Sequence, residues 1–190
     1  RLCDIALDWF TLYAITDQVA ERIFKKVVSG HTVNQSECDG FRTSVLTFLC
    51  ELNHNKGWAQ QFHMGALRNV NTKGTKEIGA ACGFDAMNDV TYVGEVGKFL
   101  NSMQMRGKLA RSIFFNLNPR DNAAVLALIN SFNDGLVEGK MQYGPPWWFL
   151  DQKDGIERHL DDLSAYGVLG NFIGMLSDSR SFLSFPRHEY

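Results

Sequence analysis

Residues 112–117 read SIFFNL and residues 118–121 read NPRD, and this stretch decides the fold class. The apolar run is short and continuous, which is typical of a strand buried on both faces of a parallel sheet. Asn118 is a suitable N-cap, Pro119 suits the first helical position, and Asp121 adds an acid to the first turn. The stretch therefore predicts a βα unit whose helix runs to about Phe132.

The same rhythm recurs along the chain. Three further short apolar runs are strand candidates: residues 58–63 (WAQQFH), 141–143 (MQY) and 172–176 (FIGML). Helical periodicity predicts helices at residues 5–28, 36–52 (with Ser36 as N-cap), 93–103 and 151–166. About four parallel βαβ units fit either half of an eight-stranded barrel or a small doubly wound sheet. The barrel is favoured because no Gly-rich phosphate loop follows any strand.

Composition narrows the function classes. The chain has 190 residues, a formal net charge of −2 and 45% hydrophobic residues, as expected for one soluble domain or a piece of one. A near-neutral balance gives no electrostatic case for nucleic acid or a membrane surface, and no apolar run is long enough to span a bilayer. The four cysteines lack C-x-x-C spacing, which favours reduced thiols in a cytoplasmic protein.

Polar and aromatic side chains follow the predicted strands. Each has an ordinary explanation taken alone: a structural histidine, a helix cap, packed tryptophans. In a barrel, however, the C-terminal ends of the strands share one rim, where catalytic groups are placed. The set then forms a site for a polar small molecule. Its members are His63, Arg68, Trp147, Trp148, Asp178 and Arg180.

Four segments resemble one known family. WAQQFHMGALRNVNT (58–72), FFNLNPRDN (114–122), PPWWFLDQKDGIERHLDDLS (145–164) and FIGMLSDSRSFLSFPRHEY (172–190) are similar to the segments around barrel strands five to eight of the uronate isomerases. The similarity extends over essentially the whole chain. This family belongs to the amidohydrolase superfamily of metal-dependent (β/α)8 barrels. The resemblance implies that residues 1–190 are part of a single barrel domain, covering roughly strands five to eight, with residues 1–4 ending strand four.

The resemblance also implies roles. Asp178 matches the metal-binding aspartate at the end of strand eight, which also carries protons, and Arg180 matches an active-site arginine that binds substrate. His63 matches the strand-five histidine, a metal ligand or active-site group. Trp147 and Trp148 would form the wall of the sugar site, and the remaining candidate, Arg68, is assigned to substrate binding.

The activity implied is metal-assisted aldose–ketose isomerisation of a hexuronate: D-glucuronate to D-fructuronate, and D-galacturonate to D-tagaturonate. The expected cofactor is a divalent metal, with zinc preferred, and the expected partner is the small-molecule hexuronate; homo-oligomerisation is left open. One alternative is a hydrolase of the same superfamily, and another is a non-catalytic remnant.

Two departures from the family pattern stand out. The H-x-H metal pair that follows strand one is absent, and Asp4-Ile5 stands where Asp-His is expected after strand four. Catalytic zinc usually has about three protein ligands. We therefore expect residues 1–190 to be a fragment that alone neither holds the metal tightly nor isomerises uronates, with further ligands supplied by the missing N-terminal half.

Overall fold

The computed structural model describes residues 1–175, 178–179 and 181–188. Along the chain, the strands and α-helices are β1 (Leu2–Leu7), α1 (Asp17–Val28), α2 (Gln35–Lys56), β2 (Ala59–Met64), β3 (Ala66–Leu67), α3 (Thr72–Ile78), β4 (Ala86–Met87), α4 (Val93–Met105), β5 (Ser112–Asn116), α5 (Asn122–Asn130), β6 (Met141–Tyr143) and α6 (Lys153–Tyr166). Short 3-10 turns lie at Pro119–Asp121, Trp148–Leu150, Leu169–Asn171 and Phe182–His188. No helix in the described ranges is both long and apolar enough to cross a membrane.

The main sheet is parallel throughout and has the order β1-β2-β5-β6. Asp4 pairs with Gln61, and His63 pairs with Phe115, so the carboxyl ends of the strands lie along one edge. β3 and β4 form a separate two-stranded antiparallel ribbon after β2, which the sequence did not predict. An ordered parallel sheet therefore brings residues far apart in sequence to a common rim.

The two faces of this sheet have different neighbours because side chains alternate along a strand. On one face Phe62 and Phe114 stack at 5.0 Å and join a core with residues of α2, α4, α5 and α6. On the other face, called here the cleft face, Asp4, Gln61 and His63 line a cleft. The helices thus cover one face and leave the polar one accessible.

The helix predicted over residues 5–28 is wrong in its first half. Leu2–Leu7 is a strand, and the helix begins only at Asp17, after Thr16, whose side chain accepts a hydrogen bond from the Val19 amide. Ile5 and Leu7 alternate with polar or small neighbours at a period of two. The apolar residues that follow, including Trp9 and Leu12, have helical spacing by coincidence, because they do not lie in a helix.

The strand predicted over 172–176 is also not observed. Residues 172–175 belong to no strand, and Leu176 lies outside the described residues. A turn over Leu169–Asn171 ends at Phe172, whose amide bonds the Leu169 carbonyl. A short apolar run predicts burial, but a strand also needs a neighbour to pair with, which the run itself does not specify.

The other predicted elements are confirmed with shifted ends. Asn118 caps its turn by accepting from the Arg120 amide, but the first turn is 3-10 and the following α5 ends at Asn130. The N-cap of α2 is Asn34 rather than Ser36, since Asn34 and Glu37 form a reciprocal capping box. α6 begins after Gln152, which accepts from the Gly155 amide.

Acidification is expected to destabilise this fold through His159. The ring is buried against Tyr143 and near Asp162, and burial lowers the pKa of His159 to about 4. Between that value and the ordinary pKa of about 6.5 the unfolded chain binds a proton that the native chain does not, so stability falls as pH falls. From His159 alone, the free energy of unfolding of the parent protein should fall by about 2 kcal/mol between about pH 7 and about pH 5. The His159→Gln protein should not show this decrease.

Denaturant unfolding of the complete protein at both pH values would measure this difference. His31→Gln, at an exposed position just beyond the turn that follows α1, controls for the loss of one histidine. The same pH dependence in the His159→Gln protein and its parent would contradict the expectation.

Candidate active site

A cleft of about 370 Å³ lies on the cleft face at the carboxyl ends of the strands. That volume falls within the usual range for small-molecule sites, and its lining mixes acids, bases and aromatic rings. The lining residues are Asp4, Ala6, Gln61, His63, Arg68, Phe115, Pro145, Pro146, Trp147, Trp148, Asp151 and Asp178. The structure thus brings together five of the six candidate residues singled out in the sequence.

His63 is the second-last residue of β2, and three neighbouring side chains hold its ring. Its Nδ1 lies 2.7 Å from Oδ1 of Asp4 on β1. Its ring stacks on Phe115 at 4.2 Å between centroids and meets Trp147 edge-on at 4.6 Å. An imidazole whose Nδ1 bonds a carboxylate has a fixed orientation, with Nε2 left for other chemistry.

Arg68 follows the β2 strand by four residues and is held by two acids. Its Nε donates to Oδ1 of Asp8 at 3.1 Å, and its Nη1 lies 3.4 Å from Oδ2 of Asp85. The guanidinium also sits 5.2 Å from the Trp148 ring centroid, in a cation–π arrangement. These contacts fix a cation at the margin of the cleft.

The two tryptophans form an aromatic wall. Their ring centroids are 4.5 Å apart, and Trp147 also contacts His63. Trp148 has φ +38°, a left-handed conformation that is uncommon for a bulky residue. Strain of this kind persists where surrounding contacts over-determine it, often at ligand sites. Here the contacts of Trp148 with Arg68 and Trp147 hold it.

Asp178 lines the same cleft and is exposed. Its φ of +42° is a left-handed conformation that Asp tolerates better than most residues. Although no strand precedes it within the described residues, its carboxylate shares the cleft with His63 and Asp4. The sixth candidate, Arg180, lies outside the described residues.

Several cleft residues were not singled out from the sequence. Asp4 is the most consequential: the resemblance placed residues 1–4 at the end of a strand, as observed for Leu2–Leu7, but gave Asp4 no role in the site. The available signal was the alternation of Asp4 and Ala6 with Cys3, Ile5 and Leu7. Phe115 carried no signal of its own, since an apolar strand residue gives no indication of which face it occupies.

Other strand-end residues have structural partners instead. Asn116 is buried, and its Oδ1 accepts from the Tyr143 hydroxyl at 2.5 Å. Arg120 forms ion pairs with Asp89 and Asp121, and Lys153 pairs with Glu157 across one turn of α6. None of the three lines the cleft.

The side chains that line the cleft include the types of donor atom that bind divalent metals. Carboxylate oxygens and an imidazole nitrogen are ordinary zinc ligands. Over the described ranges, however, no three His, Cys, Asp or Glu side chains are placed together as a ready-made metal cluster. Asp178 and His63 are therefore donors of a suitable kind, but they do not form such a cluster within the described ranges.

Comparison with known proteins gives a consistent picture. A family model described as glucuronate isomerase matches residues 1–190. The uronate isomerase of Bacteroides thetaiotaomicron is 44% identical over 190 residues, covering 100% of this chain and 41% of the relative. That of Bacillus subtilis is 45% identical over 190 residues, covering 100% of this chain and 40% of the relative.

Solved structures agree with the sequence relatives. The crystal structure of uronate isomerase from Thermotoga maritima superposes with a TM-score of 0.87 at 28% identity, over 97% of this chain and 39% of that one. For glucuronate isomerase from Caulobacter crescentus the TM-score is 0.81 at 26% identity, over 97% and 37% of the two chains. The chain thus spans about two fifths of these relatives' length. The predicted fold class, an α/β barrel of the amidohydrolase kind of which this chain is a part, is confirmed.

Proposed function

This chain belongs to the uronate isomerase family, and from that premise we propose that the complete protein isomerises a hexuronate aldose to its ketose, converting D-glucuronate to D-fructuronate and D-galacturonate to D-tagaturonate. One observation carries the proposal: His63, Arg68, Trp147, Trp148 and Asp178 line a single cleft at the strand ends. That cleft holds acids, a base, a cation and an aromatic wall, the groups that this reaction and this substrate require.

The reaction moves one proton between neighbouring carbons and one between neighbouring oxygens. It needs a base for the carbon-bound proton, an acid for the oxygens, and positive charge near the enediol-like intermediate. We assign the proton-carrying role to Asp178. His63, oriented by Asp4, would donate to or accept from a substrate oxygen through Nε2.

Substrate binding needs a cation and an apolar surface. The fixed guanidinium of Arg68 and the fork of Arg180 suit the substrate carboxylate or hydroxyls. The faces of Trp147 and Trp148 suit the C–H surface of a sugar ring. The wall and the cations together would orient the sugar relative to Asp178 and His63.

A divalent metal, with zinc as the proposed ion, would be held by Asp178 and His63 together with ligands outside residues 1–190. When bound, it supplies polarisation of a substrate oxygen and orientation of the sugar. We propose that residues 1–190 are part of a single barrel domain, since relatives of more than twice this length match 97% to 100% of the chain. We also propose that the protein is cytoplasmic.

The test is an assay of the complete protein on D-glucuronate and D-galacturonate, with ketose formation measured with and without added zinc. Metal-stimulated turnover of either sugar supports the proposal. Hydrolysis of amide or ester substrates without uronate turnover would favour a hydrolase, and absence of both activities would favour a non-catalytic remnant.

Arg180→Lys is expected to lower kcat/KM for the hexuronate by about 10- to 100-fold, because a point charge replaces a bidentate fork. Steady-state kinetics of the complete protein would measure the loss. Arg106→Lys is the matched control, since Arg106 follows the last residue of α4 and pairs with Glu51 away from the cleft. A parent-like Arg180→Lys protein would remove this arginine from the substrate contacts.

A further inference from the structure

His159 on α6 is a buried imidazole with one specific hydrogen bond. The residue is 1% exposed, and its Nε2 lies 2.8 Å from the carbonyl oxygen of Gly144. Since a carbonyl only accepts, Nε2 carries the ring proton. Nδ1 is buried and lacks a hydrogen-bond partner within the described part of the chain. A buried polar atom without a partner costs free energy, and an apolar side chain would fill this space without one. Packing alone therefore does not account for a histidine here.

Gly144 is held from three directions. Its amide donates to the Phe114 carbonyl at 2.8 Å, and its carbonyl accepts from His159. Its α-carbon lies directly against the Phe115 ring, because a Cβ built on Gly144 would meet that ring at 2.5 Å. Gly144, the first residue after β6, therefore has a well-defined position.

The segment that starts at Gly144 becomes the wall of the cleft. Pro145 and Pro146 follow and line the cleft, and the two tryptophans come next. Phe115, on which Gly144 rests, stacks in turn on His63. A shift of Gly144 would thus displace the aromatic wall, whereas the 2.7 Å bond between Asp4 and His63 would still hold the imidazole.

We infer that His159 is a positioning residue of the cleft: through its Nε2–H bond to the Gly144 carbonyl it sets the position of the Pro145–Trp148 wall against the substrate. The inference rests on the proposed function for its kinetic consequence. The ring stacks on Tyr143 at 4.1 Å and 9°, which fixes its plane. Tyr143 on β6 and Asp162 on α6 are the titratable groups around it, and burial keeps the imidazole neutral at working pH by lowering its pKa.

The experiment compares two substitutions in the complete protein. His159→Phe keeps a ring against Tyr143 but lacks the donor, whereas His159→Gln supplies an N–H near the position of Nε2. For His159→Phe we expect KM for the hexuronate to rise about tenfold with kcat changed by less than about threefold, because a wall contacts ground and transition states alike. His159→Gln should stay within about twofold of the parent KM.

A second readout does not depend on activity. Hydrogen exchange of the amides of Gly144, Leu150 and Asp151, which bond within or beside the wall, should lose about tenfold protection in His159→Phe and keep it in His159→Gln. Leu163→Ala is the matched control, since Leu163 is a core residue of the same helix. It should lower the melting temperature without changing KM or this local exchange.

The outcomes separate the two proposals. If the parent protein turns over neither uronate, the proposed function fails, and the exchange measurement still decides the role of His159. Parent-like KM and exchange in His159→Phe would overturn the inference. Equal losses in His159→Phe and Leu163→Ala would overturn it as well, because they would show general loosening rather than loss of one donor.

Discussion

Asp178→Asn is expected to lower the turnover number of the complete protein on a hexuronate by about 10²–10⁴-fold, the usual contribution of a positioned acid–base group. The amide keeps the shape of the carboxylate but loses its charge and basicity. The fold should be unaffected, since Asp178 is exposed and Asn tolerates its left-handed φ of +42° as well as Asp does.

Steady-state kinetics and a melting curve of the same preparation would check both halves of this expectation. Asp161→Asn, at an exposed position on α6, is the control for removal of one carboxylate. Near-parent turnover in the Asp178→Asn protein would remove that residue from the mechanism.

His63→Gln is expected to lower kcat by about 10²–10³-fold, because the ring at the cleft is lost. Asp4→Asn should act in the same direction but less, by about 10- to 100-fold, as is usual for a group that orients a catalytic histidine. The reason is the 2.7 Å bond between Asp4 Oδ1 and His63 Nδ1, which fixes the imidazole.

The double variant distinguishes orientation from direct participation. If Asp4 acts through His63, His63→Gln with Asp4→Asn should be no slower than His63→Gln alone. Fully additive losses would show that Asp4 acts on substrate independently. Asp17→Asn, at an exposed position that begins α1, serves as control, and an Asp4→Asn protein with parent activity would contradict the assigned role.

Sequence patterns predicted correctly those elements that depend on a few neighbouring residues. The start of the turn at Asn118 depends on a cap and a proline within four residues, and the structure confirms it. The resemblance placed a strand end at residues 1–4, but periodicity missed that the strand continues to Leu7, because two periods overlap there. Ile5 and Leu7 alternate as in a strand and also begin a longer helical count.

Candidate residues could be selected from the sequence because parallel strands end at a common edge. His63, Arg68, Trp147, Trp148 and Asp178 all follow or lie near predicted strands, and all five line one cleft. Asp4 was not among the candidates, because residues 1–4 were placed only at the end of a strand and the chain from residue 5 onward was assigned to a helix. The pairing of Asp4 with His63 joins residues 59 apart in sequence, and no local pattern encodes such a pair.

The sequence by itself determined that this chain alternates strands and helices, that its sheet is parallel, and which residue types gather at the strand ends. Periodicity, caps and family motifs all act over a few residues, and each can be observed directly in the sequence. Only the tertiary structure decided that Gly144 rests on Phe115, that Phe115 stacks on His63, and that His159 holds the Gly144 carbonyl. Those contacts arise from strand register and helix packing, where side chains distant in sequence compete for the same space, and that competition is settled only in the folded chain.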